Sequence, residues 1–136
     1  MSNKKDIRFF IYIYPVMKNI FTLFLFLFSL NSFSQDTITT AKAKNYINSI
    51  ACVTGKVVSY KLASGGKTTN YINLDAAYPN NVFTIVVTNE YLETSKIKIE
   101  TLKDKMIFAY GRITTYKNDP KQIPQIFNPR WIEVKK

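Results

Sequence analysis

Histidine is absent from these 136 residues, cysteine occurs once and glycine only four times. The missing histidine removes zinc sites of Cys/His type, Ser-His-Asp and Cys-His catalysis, and imidazole acid–base chemistry. Cys52 stands alone, so it has no internal disulfide partner; between Ala51 and Val53 it reads as a small hydrophobe. Acidic residues number nine against nineteen Lys and Arg, and they are scattered: Asp75, Glu90, Glu93, Asp104 and Asp119 make no close constellation. Arginines are as sparse, with only Arg112 and Arg130 beyond the N-terminal segment. A phosphodiesterase needs a carboxylate cluster for its metal and arginines on the phosphate, so catalysis is not expected, nor a metal or cofactor.

Long apolar runs are confined to the N-terminal region. Residues 17–35, MKNIFTLFLFLFSLNSFSQ, place a lysine before an apolar stretch from Ile20 to Leu30 and close on small and polar residues. That order is the one a secretory signal peptide shows. Ser32 and Ser34 supply the small side chains that a signal peptidase requires, so cleavage is expected after Ser34, with residues 1–34 as the leader. Met17 is the expected initiator, because starting there gives a leader of ordinary shape. The competing reading, a membrane anchor from Phe9 to Phe28, is disfavoured by Pro15 and Lys18, and a permanent span needs roughly 20 apolar residues. No stable membrane span is expected after cleavage, and the absence of Cys at the cut disfavours a lipoprotein. The expected location is exported, either periplasmic or extracellular. The leader removes four basic residues and one acid, which leaves 15 basic and 8 acidic residues over 35–136, net +7. A balance of that sign favours a polyanion or an anionic surface as partner.

Beyond the leader, Thr39-Thr40-Ala41-Lys42 opens a short helical segment, with Ile38, Ala43, Tyr46 and Ile47 at core-facing spacing. Residues 51–62, 71–74, 82–88, 106–116, 122–127 and 131–134 carry the β-branched, aromatic and alternating character of strands. Residues 89–105 form a charged connection, part helical, in which Tyr91, Leu92, Ile97, Ile99 and Leu102 can pack inward. Ser64-Gly65-Gly66-Lys67 is read as a turn, since neither the glycine spacing nor the following helix of a phosphate loop is present. Val53-Thr54-Gly55-Lys56-Val57 and Ala109-Tyr110-Gly111-Arg112-Ile113 repeat one pattern, apolar-x-Gly-basic-apolar. Two long strands bent at a central glycine are what a small closed barrel needs at its corners. Five short strands with a helical connection before the fourth is the order of the five-stranded Greek-key barrel, the OB-fold, so residues 35–136 are read as an all-β OB-fold domain with a short N-terminal helix.

From about Ile38 to Val134 the chain resembles the small exported OB-fold domains of bacteria, which stand alone or follow a thermonuclease-type domain. The resemblance rests on Val53-Thr54-Gly55-Lys56-Val57-Val58, on Tyr110-Gly111-Arg112-Ile113, and on Pro124-Gln125-Ile126 with Asn128-Pro129. Its most specific element is the strand–Asp–Tyr-Pro-Asn-x-x-Phe-Thr order within residues 71–87. The chain departs from the family pattern at Lys117-Asn118-Asp119-Pro120-Lys121, where a shorter glycine-containing turn is usual. The resemblance implies nucleic-acid binding by fold analogy alone.

Single-stranded nucleic acid needs a basic groove for phosphates and exposed rings for bases. The candidate site residues are Lys56, Tyr60, Lys61, Lys67, Tyr71, Arg112, Tyr116 and Lys117, with Tyr78 at the rim. Lys56 with Tyr60, and Arg112 with Tyr116, share a Lys/Arg-x3-Tyr spacing that strand alternation sets on one face where no bulge intervenes. The expected function is therefore an exported binding module for single-stranded nucleic acid or another extended polyanion. The alternative is a protein-interaction or envelope-stress module, with a protein partner in the envelope and no nucleic acid.

Overall fold

The computed structural model describes residues 4–28 and 36–136. Its contacts separate two units, Met1–Ser34 and Gln35–Lys136. In the first, helix α1 spans Lys4–Phe28 and continues through Pro15. Among the described residues no helix is long and apolar enough to cross a membrane. The expected cleavage position after Ser34 lies outside the described residues.

In the second unit β1 (Thr37–Thr39) leads into a 3₁₀ helix, Thr40–Tyr46, followed by β2 (Ile50–Lys61), β3 (Thr69–Leu74) and β4 (Phe83–Thr88). Helix α2 (Asn89–Ser95) and a second 3₁₀ turn, Ile99–Leu102, connect to β5 (Met106–Thr115), β6 (Pro124–Phe127) and β7 (Trp131–Val134). The pairings close a ring in the order β2-β3-β4-β6-β5-β2, antiparallel throughout except for β4 with β6, which is parallel. β1 adds in parallel beside β2, and β7 adds antiparallel beside β5. The five-stranded Greek-key barrel is thus present, flanked by β7, which coincides with the strand expected over 131–134, and by β1, which the sequence pattern does not show.

Two long strands turn the corners. β2 pairs with β5 through Ile50–Lys56 and with β3 from Val57 onward; β5 pairs with β2 and β7 through Arg112 and with β6 from Ile113 onward. The echoed glycines sit at these corners because nothing larger fits. A Cβ on Gly55 would lie 2.9 Å from Asp75 Oδ2 and from Thr40 Cγ2, and one on Gly111 would lie 2.8 Å from Ile126 Cγ2. Asp75 ties the first corner together: its carboxylate accepts from the Lys56 amide at 2.8 Å and from the Thr40 hydroxyl. Thr40 is accordingly a buried corner residue rather than a helix cap, and the segment it opens is 3₁₀.

Inward-facing side chains follow the two-residue period. Ile72, Leu74, Phe83, Ile85, Ile113 and Ile126 are fully buried, each contributing about 1.5–3 kcal/mol through loss of apolar surface to water. Ile99 and Leu102 are buried, and Tyr91, Leu92 and Ile97 pack against the same core, as their spacing anticipates. Thr88 caps α2 by accepting from the Tyr91 amide at 3.2 Å. The Tyr78-Pro79-Asn80-Asn81 stretch joins β3 to β4, with a cis Tyr78–Pro79 bond.

Candidate nucleic-acid interface

The eight candidate residues do not form one surface. β2 carries a register shift between Val57 and Ser59: Val57 lies opposite Leu74, yet Ser59 lies opposite Asn73. Val58 is therefore the extra residue of a bulge, and alternation inverts beyond it. Tyr60 then falls opposite the buried Ile72 and packs against the core, whereas Lys56 is exposed on the outer side. The expectation that Lys56 and Tyr60 share a face is corrected by this bulge. Arg112 lies opposite Ile50, with its guanidinium donating to the Asn48 carbonyl, on the outer side of the sheet that holds β1, β2, β5 and β7. Lys56 lies opposite Met106 on that same outer side, at its other end.

Lys61 and Tyr71 do come together. They are cross-strand partners, Tyr71 is in turn opposite Val86, and Val86 is opposite Phe127. This row runs across the outside of β2, β3, β4 and β6. Tyr71 is 41% exposed and Phe127 54%, while Val86 between them is only 5% exposed. Two open rings thus flank a covered valine, with a lysine at the end of the row. Phe127 was missing from the sequence-derived set. Pro124 and Ile126 point inward and Phe127 outward by simple alternation, a signal that was present in the sequence but weak over four residues.

The next row along these strands is polar and tied down. Asn73 donates to Ser59 Oγ at 3.0 Å and accepts from Thr84 Oγ1 at 3.0 Å, and Asn81 donates to Thr84 Oγ1 at 2.7 Å. Asn73 and Thr84 are buried although they lie on the outer side.

Two loops bound the face at opposite ends of its strands. The 62–68 loop, holding exposed Lys67, turns at Gly65 and Gly66, both with positive φ, and the Lys67 amide donates to Ser64 O at 3.1 Å. Buried Asn70 anchors it by accepting from the Ala63 amide at 2.8 Å and donating to Asn89 Oδ1 at 2.8 Å. The 116–123 loop holds exposed Tyr116, Lys117 and Lys121. Asp119 organises it: its carboxylate accepts from the Lys121 and Ile123 amides, each at 2.9 Å. Lys121 Nζ donates to Pro79 O at 3.0 Å, which joins this loop to the 75–82 connection where Tyr78 is 79% exposed. Among the described residues no group of acidic, His or Cys side chains is placed to hold a metal ion.

No family model matches the chain, and no curated protein matches it. Solved structures do. An OBody, AM1L10, bound to hen egg-white lysozyme is similar over 78% of this chain and 99% of its own, at 12% identity and a TM-score of 0.50. The structure of yeast Stn1 and Ten1 is similar over 77% of this chain and 65% of that one, at 12% identity and a TM-score of 0.51. A chain described as an aspartyl-tRNA synthetase from Leishmania major Friedlin is similar over 78% of this chain at 6% identity and a TM-score of 0.50, and this chain spans 22% of its length. At such identities the likeness is one of fold. Strand order, corner glycines and these similarities converge: residues 36–136 form an OB-fold barrel.

Proposed function

We propose that the barrel is a binding module for single-stranded nucleic acid or a similar extended polyanion, held across the outside of β3, β4 and β6. The observation that carries the reading is the row Lys61–Tyr71–Val86–Phe127, in which two exposed rings flank a buried valine beside a lysine. Rings in such a row offer stacking surfaces to successive bases, and stacking tolerates any base. Lys61 and Lys67 stand at one end of the strands, and Tyr116, Lys117 and Lys121 at the other, where phosphates leaving the face would pass. Both flanking loops are fixed by buried or bidentate side-chain bonds, so little ordering cost accompanies binding. In chain order β3 and β4 are the second and third strands of the barrel, and the 62–68 and 116–123 loops follow its first and fourth; those strands and loops are the ligand face of this fold generally.

On this reading the chain is an exported protein related to the small bacterial OB-fold domains, and it acts by binding rather than by catalysis. The second reading, a protein-interaction or envelope-stress module without nucleic-acid binding, is supported by OBody chains of the same fold that hold a protein, hen egg-white lysozyme. Titration with a fluorescent oligothymidylate at 20 mM and 200 mM salt separates the two readings. The proposal requires binding at low salt that weakens steeply at high salt. No binding at 20 mM salt overturns it and leaves the protein-interaction reading.

A further inference from the structure

β7 ends the strand order, and among the described residues no strand pairs with its outer edge. Its inner edge is engaged with β5, where Trp131 lies opposite Tyr110, Glu133 opposite Phe108, and the Lys135 amide donates to Met106 O at 2.9 Å. In an antiparallel ladder, residues of one parity bond inward and those of the other bond outward. Trp131, Glu133 and Lys135 bond to β5, so Ile132 and Val134 turn their amides and carbonyls to the open edge.

The side chains around this edge state what it accepts. Tyr110 and Trp131 stack with ring centroids 5.6 Å apart, and the Arg130 guanidinium lies 5.7 Å from the Tyr110 ring centroid. Arg130, Lys135 and Lys136 thus bracket a strand whose one acid is Glu133. Edge strands use short length and lysines to refuse unwanted pairing. A second copy of this chain, paired antiparallel with Ile132 of each opposite Val134 of the other, would bring Arg130 against Lys136 of the other copy. Like charges directly opposite are unfavourable, so the edge is set against itself. An acidic strand reverses the terms at Arg130, Lys135 and Lys136, three cations against the single opposing charge of Glu133.

We propose that β7 is a docking edge for an extended acidic polypeptide segment, which adds as a strand beyond β7. Backbone bonds from Ile132 and Val134 give it register, and carboxylates on the Trp131 side meet Arg130 and Lys135. This site lies on β7, apart from the row formed by Lys61, Tyr71 and Phe127, and does not depend on that reading.

The test uses the full chain and a blocked seven-residue peptide of alternating valine and glutamate, with its valine–lysine counterpart as control. Amide hydrogen exchange followed by NMR is expected to slow at Ile132 and Val134 when the acidic peptide is added and to stay unchanged with the lysine peptide. V134P removes an outward donor without touching a bond to β5, and a Pro is tolerated there on an edge strand. It should weaken the acidic peptide at least tenfold. The pair K135E and K136E, which leaves the ladder intact, should reverse the preference between the two peptides. Unchanged exchange at Ile132 and Val134, protection confined to Tyr71 and Phe127, or equal response to both peptides overturns the proposal. So does an oligothymidylate that perturbs Trp131 and Tyr110 more strongly than the acidic peptide does.

Discussion

Tyr60 and Tyr71 show how one backbone residue decides which rings can meet a ligand. Both are strand tyrosines beside Lys61, Tyr60 along the chain and Tyr71 across the ladder, yet the extra residue at Val58 turns Tyr60 to the core and leaves Tyr71 open. Tyr71→Ala and Phe127→Ala should each weaken oligothymidylate by about 1–3 kcal/mol, the usual value of one base stack. Their thermal stability should move little, since both rings are substantially exposed. Tyr60→Ala should do the opposite, lowering the melting temperature while affinity at a temperature well below unfolding is kept. Equal affinity losses at Tyr60 and Tyr71 would contradict this placement, and fluorescence titration with parallel thermal melts reads both quantities. Cys52 gives a second test at this scale. It is buried, and burial pushes its thiol up, with the Glu133 charge adding to that and the Thr37 side chain opposing it. A raised folded-state value means its contribution to stability is complete below the ordinary thiol range, about 8.5, and is lost as pH rises through the shifted value. The stability gap between the natural protein and Cys52→Ala should therefore shrink between pH 8 and pH 10, at a limiting rate of about 1.4 kcal/mol per pH unit. Urea denaturation at several pH values measures it, and parallel profiles would exclude Cys52 as the source.

Strands were legible because alternation is a strong signal wherever one face is buried, and the Gly55 and Gly111 echo marked both corners. The bulge was not legible: Val57 and Val58 are equally good strand residues, and only the pairing of Ser59 with Asn73 reveals which is extra. β1 escaped for a similar reason, and so did the 3₁₀ character of the short helical segment expected from Thr39 onward. Three residues are too few to show a period, and Thr40 looks like a cap until its hydroxyl is found on Asp75. For the candidate site, residue types were readable but their faces were not, because a face depends on register. The corner glycines allow a stability test. Gly111→Ala must push a Cβ against Ile126 Cγ2 at 2.8 Å and Pro129 Cα at 3.3 Å. Overpacking of that kind costs about 1–3 kcal/mol, or roughly 4–8 °C of melting temperature per kcal/mol in a domain this small. Gly66→Ala meets nothing within 4 Å and carries only the strain of φ +78°, about 1–2 kcal/mol. Differential scanning calorimetry should rank Gly111→Ala as the more damaging, and the reverse order would mean that the corner relaxes freely.

Across the whole molecule, a net +7 over residues 35–136 attracts any polyanion, so affinity alone does not locate a groove. Placement of the charges does. Lys61 and Lys117 belong to the face that carries Tyr71 and Phe127 or to the loop bounding it, whereas Lys56 and Arg112 lie on the outer side of the other sheet. Each pair removes two positive charges, and a ligand answering only to the overall field would respond to both losses alike. A ligand tracking the proposed face would respond to one. For single strands the slope of log affinity against log salt is about −0.7 per phosphate neutralised. Lys61→Ala with Lys117→Ala should therefore flatten the slope by about 1.4, two phosphates' worth on that scale. Lys56→Ala with Arg112→Ala should shift the curve slightly and leave its slope. Fluorescence anisotropy of oligothymidylate across a salt series reads both numbers from the same protein preparations. If the second pair flattens the slope and the first does not, phosphate contact belongs to the β1-β2-β5-β7 side. If neither pair flattens it, the attraction is that of a basic protein without a groove.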